Sequence, residues 1–274
     1  MALDAEVRGL TRTVGACQGH ASAKPGRSRR AAGRRDKQPR VQAVVLAGGL
    51  ATRMRPRTLT APKSLLEIAG RPFVDWQLER LAACGLRDVV MCIGHLGEQI
   101  RAHVGDGDRW GARVLWSDEG PQLLGTAGAI RAALPLLAPT FLVTYGDSYL
   151  PFDYSEPLRQ LDIHSDCDGV MAIFRNEGRW DASNVLSDGS WVLRYKKGSQ
   201  DERFESIDYG ATALRRDVIA GLAPGEPSGL DAVQGELAKR KRLRAFVAHE
   251  RFYEIGSPEG HAELEGYLRT GATS

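Results

Sequence analysis

The sequence predicts an α/β fold, a mostly parallel sheet with helices on both faces in a single domain, on three observations. Val41–Leu46, Asp88–Ile93 and Phe141–Tyr145 are short and almost continuously apolar, the pattern of strands buried on both faces. Amphipathic segments of helical period lie between such runs, and strand–helix–strand alternation implies parallel crossover connections. Two of the runs end abruptly, in Ala47-Gly48-Gly49 and in Gly146-Asp147-Ser148, at the strand ends where open α/β sheets hold ligands.

In chain order, residues 1–40 are rich in Gly, Ser, Ala and Arg with little apolar periodicity, and are expected to be a disordered basic extension. The run Arg27–Arg40 suits a polyanion-binding arm or a transit peptide. An upstream extension, or a start codon placed too early, explains it more simply. Residues 41–270 read as one domain. After the first strand and its loop, Ser64–Ile68 is expected to be a short strand and Ala69-Gly70-Arg71-Pro72 a turn. Phe73–Ala83 reads as a helix with Phe73, Trp76, Leu78 and Leu81 on one face and Gly85 at its C-cap. A helix over Glu98–Val104 and a strand over Arg113–Trp116 follow the strand Asp88–Ile93. A helix is expected over Ala129–Leu137, then the strand Phe141–Tyr145, a helix over Asp153–Leu161 and a strand over Gly169–Phe174. Ser187–Ser190 is a hairpin-like turn returning through Trp191–Tyr195. Ile207–Ala211 begins another strand. Asp231–Arg240 reads as a helix with Leu230, Val233 and Leu237 inward. Ser257 and Pro258 suit the cap and first turn of a terminal helix.

The 274 residues suffice for one large domain or two small ones. No apolar run approaches ~18 residues, so no transmembrane helix and no membrane partner is expected. Cysteines at 17, 84, 92 and 167 have neither zinc-finger nor redox spacing, which fits a reducing, cytoplasmic setting. The net charge of +3 hides an asymmetry: residues 1–40 hold ten Lys/Arg and three Asp/Glu, leaving 27 basic and 31 acidic residues beyond them. The body is mildly acidic, so nucleic acid is not expected as its partner.

The chemistry concentrates at the strand ends. Leu46-Ala47-Gly48-Gly49 lets backbone N–H groups approach anionic oxygens. Arg53, a planar fork, and Lys63, a point charge, suit the remaining phosphate charge. A tight turn with solvated arginines would look similar, but glycines, arginine and Pro62-Lys63 all fall in one short loop after one strand. Gly125, Thr126 and Gly128, at a helix start, permit close approach of a flat ligand or a phosphate, although a helix packed close to a sheet would look the same. Asp147 at a strand end can hold Mg²⁺ bridging phosphates, although a lone Gly-Asp is more often a plain turn.

These stretches resemble the sugar-phosphate nucleotidyltransferase family, of the NDP-sugar pyrophosphorylase type and similar to mannose and heptose 1-phosphate guanylyltransferases. Four motifs fall in the family's order: Leu46-Ala47-Gly48-Gly49 with Thr52-Arg53-Met54 and Pro62-Lys63; Gly125-Thr126-Ala127-Gly128; Gly146-Asp147; and Glu254-Ile255-Gly256-Ser257-Pro258-Glu259. The resemblance implies a Rossmann-like sheet of the nucleotide-diphospho-sugar transferase type. It implies transfer of a nucleotidyl group from an NTP to a sugar 1-phosphate, with Mg²⁺ held by Asp147 and Glu254. Arg53 and Lys63 would be catalytic. Leu46, Ala47, Gly48, Gly49, Gly125, Thr126 and Gly128 would bind nucleotide. Asn184, Lys197 and Gly210 would bind the sugar phosphate. GTP with a mannose- or heptose-like sugar is preferred by analogy alone, and a homo-oligomer is compatible with the sequence.

Departures from the family pattern are Ala51 at the third loop glycine, Lys196 for an acid, Asp208 for Asn, and Glu254 for Asp. If position 51 needs a positive φ, Ala51 is strained. These departures are what a non-catalytic nucleotide-binding homologue would cite. A nucleotidyltransferase for a non-sugar phosphate shares the opening motif but not the later ones. A dinucleotide-binding dehydrogenase needs G-x-G-x-x-G, which Gly48-Gly49-Leu50-Ala51 does not supply.

Overall fold

Strand β1 (Gln42–Leu46) is buried along most of its length and lies between two parallel neighbours. The computed structural model describes residues 41–271 other than 121, 181 and 200; the expected disordered extension over 1–40 lies outside them. Among the described residues, β1 is followed by β2 (Glu67–Ile68), β3 (Arg71–Pro72), α1 (Phe73–Ala83), β4 (Asp88–Ile93), α2 (Gly97–Val104), β5 (Arg113–Asp118), α3 (Gly125–Ala132), β6 (Thr140–Tyr145), β7 (Ser148–Tyr149), α4 (Ser155–Ile163) and β8 (Gly169–Arg175). Next come β9 (Val185–Ser187), β10 (Val192–Tyr195), β11 (Ser206–Arg215), α5 (Arg216–Ala220), α6 (Leu230–Lys239), β12 (Leu243–Ala248), β13 (Tyr253–Glu254) and α7 (Pro258–Gly271).

The main sheet runs β10-β9-β11-β6-β1-β4-β5, with β8 pairing β11 and β12. Only β10 and β11 run against the others, so the sheet is mostly parallel, as expected. Alternation along β1 divides the core. Ala43 and Val45 meet Val74, Leu78 and Leu81 of α1, Ile100 of α2 and Leu158 of α4. Val44 faces the opposite layer, with Ile130 of α3, Ile219 of α5 and Leu237 of α6. A third cluster docks α7, through Leu264 and Leu268, on Ile68, Phe73 and Ile255.

Several boundaries differ from expectation. Ser64–Ile68 is not one strand: Lys63–Leu65 forms a 3-10 turn, in which Leu65 N donates to Pro62 O (3.0 Å) and Leu66 N to Lys63 O (3.0 Å). Only Glu67–Ile68 is extended, and it pairs with Arg71–Pro72 across Ala69 and Gly70. Both turn residues have positive φ, 49° and 81°, as a tight hairpin with matching twist requires. The helix expected from Ala129 begins at Gly125 and ends at Ala132, because Pro135 cannot continue it and turns Leu134–Leu136 into a 3-10 segment. Strands β7, β12 and β13 were not foreseen. The first and last are two residues long, and β12 (LRAFVA) has no clean alternation. The Ser257 cap holds, with its Oγ accepting from Gly260 N at 3.1 Å.

Candidate active site

Three strand ends meet where β1 stops. Ala47 N donates to Cys92 O near the end of β4 and Gly146 N to Leu46 O, both at 2.8 Å. A side chain at Gly48 would place its Cβ 2.3 Å from Glu119 Oε1 and 3.2 Å from Gly94 N, so only glycine lets the loop settle between its neighbours. One at Gly146 would meet Ala47 Cβ at 2.9 Å. Gly49 has nothing within 4 Å of a built Cβ, and its surroundings are open. Ala51 adopts the left-handed conformation, φ 49° and ψ 42°, the strain foreseen at that position. Its carbonyl accepts from Met54 N (3.1 Å) and Thr58 Oγ1 (2.8 Å), which hold the loop in that shape.

These ends frame a cavity of ≈270 Å³. Leu46, Ala47, Gly48, Gly49, Lys63, Gly125, Thr126 and Asp147, all singled out in the sequence, line it, together with Glu119 and Tyr145. Lys63 Nζ lies 2.7 Å from Asp147 Oδ2. Glu254 arrives from far along the chain: β13 pairs antiparallel with β7, setting Glu254 opposite Ser148, and Ile255 N donates to Asp147 O at 2.9 Å. Glu254 is exposed, yet the atoms packed round its carboxyl still desolvate it. Desolvation first, then repulsion from Asp147, push its carboxyl up to about 7 against the opposing charges of Arg53, Lys63 and Lys197. Arg53 is exposed, with its guanidinium beside Gly256.

Lys197 Nζ stands 5.9 Å from the centre of the Tyr145 ring, so the exposed lysine of the Lys196-Lys197 pair that matters is brought to the site. The Tyr145 phenol is raised well above its ordinary range by burial and by the carboxylates of Asp208, Asp147, Asp231 and Glu254. Asp208 accepts from Gly210 N (3.0 Å) and Tyr195 Oη (3.0 Å), and burial raises its carboxyl. Asn184 sits behind this layer, its Oδ1 accepting from Asp208 N at 2.8 Å. Gly210, at φ 89°, leaves space beside Ser148 and Tyr145.

The start of α3 differs from its expected form. Leu124 N donates to Glu119 Oε2 (2.9 Å), Ala127 N and Gly128 N donate to Ser228 O (2.9 and 3.2 Å), and Thr126 Oγ1 accepts from Leu230 N (2.7 Å). The amides of Leu124, Ala127 and Gly128 are therefore occupied. A Cβ at Gly128 would meet Leu124 Cβ at 2.9 Å and Glu226 O at 3.1 Å. Gly128 therefore serves close packing against the 226–228 segment; Gly125, where a Cβ would meet Ser228 O at 2.7 Å, shares that packing and with Thr126 lines the cavity. Sequence reasoning passed over Glu119, one residue beyond β5, although the strand-end rule that found Asp147 points to it. Desolvation raises its carboxyl above the usual range.

Among the described residues, no three His, Cys, Asp or Glu gather as a metal cage. Asp147 and Glu254 instead form a pair of hard oxygen donors close enough to repel. That suits a cation which takes one or two carboxylates and completes its shell with substrate and water oxygens.

Comparison with known proteins agrees with this geometry. The family profile described as "MobA-like NTP transferase domain" matches residues 43–248. The chain is 42% identical over 116 residues to an N-acetylmuramate alpha-1-phosphate uridylyltransferase of Neisseria meningitidis, covering 42% of this chain and 50% of that protein. It is 26% identical over 239 residues to the enzyme of the same name from Caulobacter vibrioides, covering 82% of this chain and 96% of that protein. The crystal structure of HddC from Yersinia pseudotuberculosis complexed with GMP-PN superposes with a TM-score of 0.68 at 25% identity, over 83% of this chain and 99% of that one. With the profile spanning the glycine-rich loop, the Asp147 turn and the strands that carry them, the chain belongs to the MobA-like NTP transferase family of nucleotidyltransferases.

Proposed function

We propose that the protein joins an NTP to a sugar 1-phosphate, giving an NDP-sugar and pyrophosphate, by Mg²⁺-assisted in-line displacement. The observation that carries this reading is that Lys63 and Asp147, 2.7 Å apart, line the glycine-loop cavity, while the pairing of β13 with β7 sets Glu254 opposite Ser148, next to Asp147. The incoming phosphate is already anionic, so no general base and no covalent intermediate is needed. The protein's work is to bring two anions together and to stabilise charge on the leaving group. Loop amides near Gly49 and the Arg53 guanidinium hold the triphosphate, Lys63 neutralises charge at the reacting centre, and Lys197 holds the sugar phosphate. Asp147 and Glu254 hold Mg²⁺, which supplies charge neutralisation at phosphate oxygens.

Glu119 bears on the base. Its carboxylate accepts hydrogen bonds and faces the cavity beside Gly48. Guanine and uracil present ring N–H donors, whereas adenine presents a ring acceptor at the matching edge. The reading therefore favours GTP or UTP over ATP, in keeping with relatives named for a uridylyl group and for a complex with GMP-PN. The test is pyrophosphate release across several NTPs and sugar 1-phosphates, with and without Mg²⁺. Release with one pair identifies both substrates. An NTP that raises the melting temperature without release from any pair would favour a non-catalytic nucleotide-binding homologue.

A further inference from the structure

Gln77 is 1% exposed, in the middle of α1. It faces the sheet with neighbours that anchor the helix: Val74, Leu78 and Leu81 are fully buried. Its Nε2 donates to Tyr145 O at 2.7 Å and to Ser148 O at 3.2 Å. Those carbonyls bracket Gly146-Asp147. Because both neighbours of this nitrogen are acceptors, the amide orientation is fixed by chemistry. Gln77 Oε1 is buried and, among the described residues, has no hydrogen-bond partner. A buried amide oxygen left unpaired is costly, a cost that the two bonds made by the other end of the side chain offset.

The turn has two further fixed points. Gly146 N is tied to Leu46 O at 2.8 Å, and Asp147 O accepts from Ile255 N at 2.9 Å. Of the turn's connections, the paired carbonyls of Tyr145 and Ser148 are joined to the helical layer by Gln77. We propose that Gln77 is a positioning residue for Asp147, clamping the carbonyls on either side of it so that the carboxylate keeps a fixed direction toward Lys63 and Glu254. The inference rests on the reading of Asp147 and Glu254 as cation ligands, yet the turn's rigidity is measurable without any cation.

The test compares Gln77→Met with Gln234→Met in the full-length chain. Methionine keeps the volume and removes the donors. Gln234 on α6 is an internal control: it is 1% exposed, its Nε2 donates to Thr212 Oγ1 at 2.8 Å, and its Oε1 is equally unpartnered among the described residues. Hydrogen exchange over Tyr145–Tyr149 and Mn²⁺ binding, followed by the spin resonance of free Mn²⁺, are read on both. Gln77→Met is expected to speed exchange in that peptide, to weaken Mn²⁺ about tenfold, and to lower kcat with the KM for NTP unchanged. Gln234→Met is expected to leave all of these as in the parent. Parental exchange and parental Mn²⁺ affinity in Gln77→Met overturn the inference. If Gln77→Met fails to fold, Gln77→Asn, which keeps the amide but falls a methylene short, is held to the same two outcomes. A parent protein that binds no Mn²⁺ would sink the cation reading instead, and the exchange rates would still decide the role of Gln77.

Discussion

The ammonium of Lys63 rests 2.7 Å from Asp147 Oδ2, with both side chains mostly sheltered at 16% and 26% exposure. A positive charge thus already neutralises the carboxylate that faces the cavity, and keeps it from repelling Glu254 unopposed. Asp147→Ala is expected to abolish pyrophosphate release while circular dichroism shows the fold intact; full turnover in that variant would sink the mechanism. Lys63→Ala is expected to lower kcat/KM by roughly 10²–10³, the loss typical of one electrostatic contact to a transition state.

Glu254 makes metal-free stability depend on pH. Its carboxyl is raised to about 7, whereas an unfolded glutamate ionises near ~4.3. Between those values the folded chain keeps a proton that the unfolded chain has lost. The stabilisation is therefore whole below about pH 4.3 and is lost as pH rises toward 7. In Glu254→Gln the fall of melting temperature across this window should flatten. Melting curves of both proteins from pH 5 to 8, without divalent ions, check this, and parallel profiles would contradict it.

Ala51 stores strain in the loop it shapes. A left-handed residue with a Cβ costs about 1–2 kcal/mol, and glycine removes that cost but loosens the unfolded chain by about 0.4–1 kcal/mol. Ala51→Gly should therefore stabilise the protein by up to about 1.6 kcal/mol, read as a higher urea midpoint, with nucleotide binding kept. A clear destabilisation would mean that the Ala51 methyl makes a contact worth more than its strain.

Glu119 predicts a change in base choice. Glu119→Ala should raise the KM for the preferred NTP about tenfold and narrow its advantage over ATP, with kcat less affected. Equal losses for every NTP would assign Glu119 to holding Leu124 N rather than to reading the base.

Much of this site was legible because strand ends announce themselves. The run Phe141–Tyr145 followed by Gly146-Asp147 marked a strand end, but a lone Gly-Asp is more often a plain turn, and it took the family resemblance to single out Asp147; the Gly48 loop stood out on local pattern. Glu254 was found through motif resemblance, since nothing local shows that a two-residue strand will bring it beside Ser148. Gly128 was read as a ligand contact because small residues at a helix start look the same whether they admit a ligand or another loop. Only the 226–228 segment, distant in sequence, decides between them. Gln77 was invisible as a site residue for a related reason: it acts through backbone carbonyls of another segment.

The pairing of Ser148–Tyr149 with Tyr253–Glu254 also sets an order in time. Chains emerge from the ribosome from the N-terminus and domains fold largely as they emerge. Strands β1, β4, β5 and β6 can associate while Glu254 is still unsynthesised, so a nascent chain carries Lys63 and Asp147 without the second acid. The site becomes complete only when the last strand is released and α7 seals Ile255 against Phe73. A half-made chain thus holds Lys63 and Asp147 in place before Glu254, the second acid of the proposed centre, has been made.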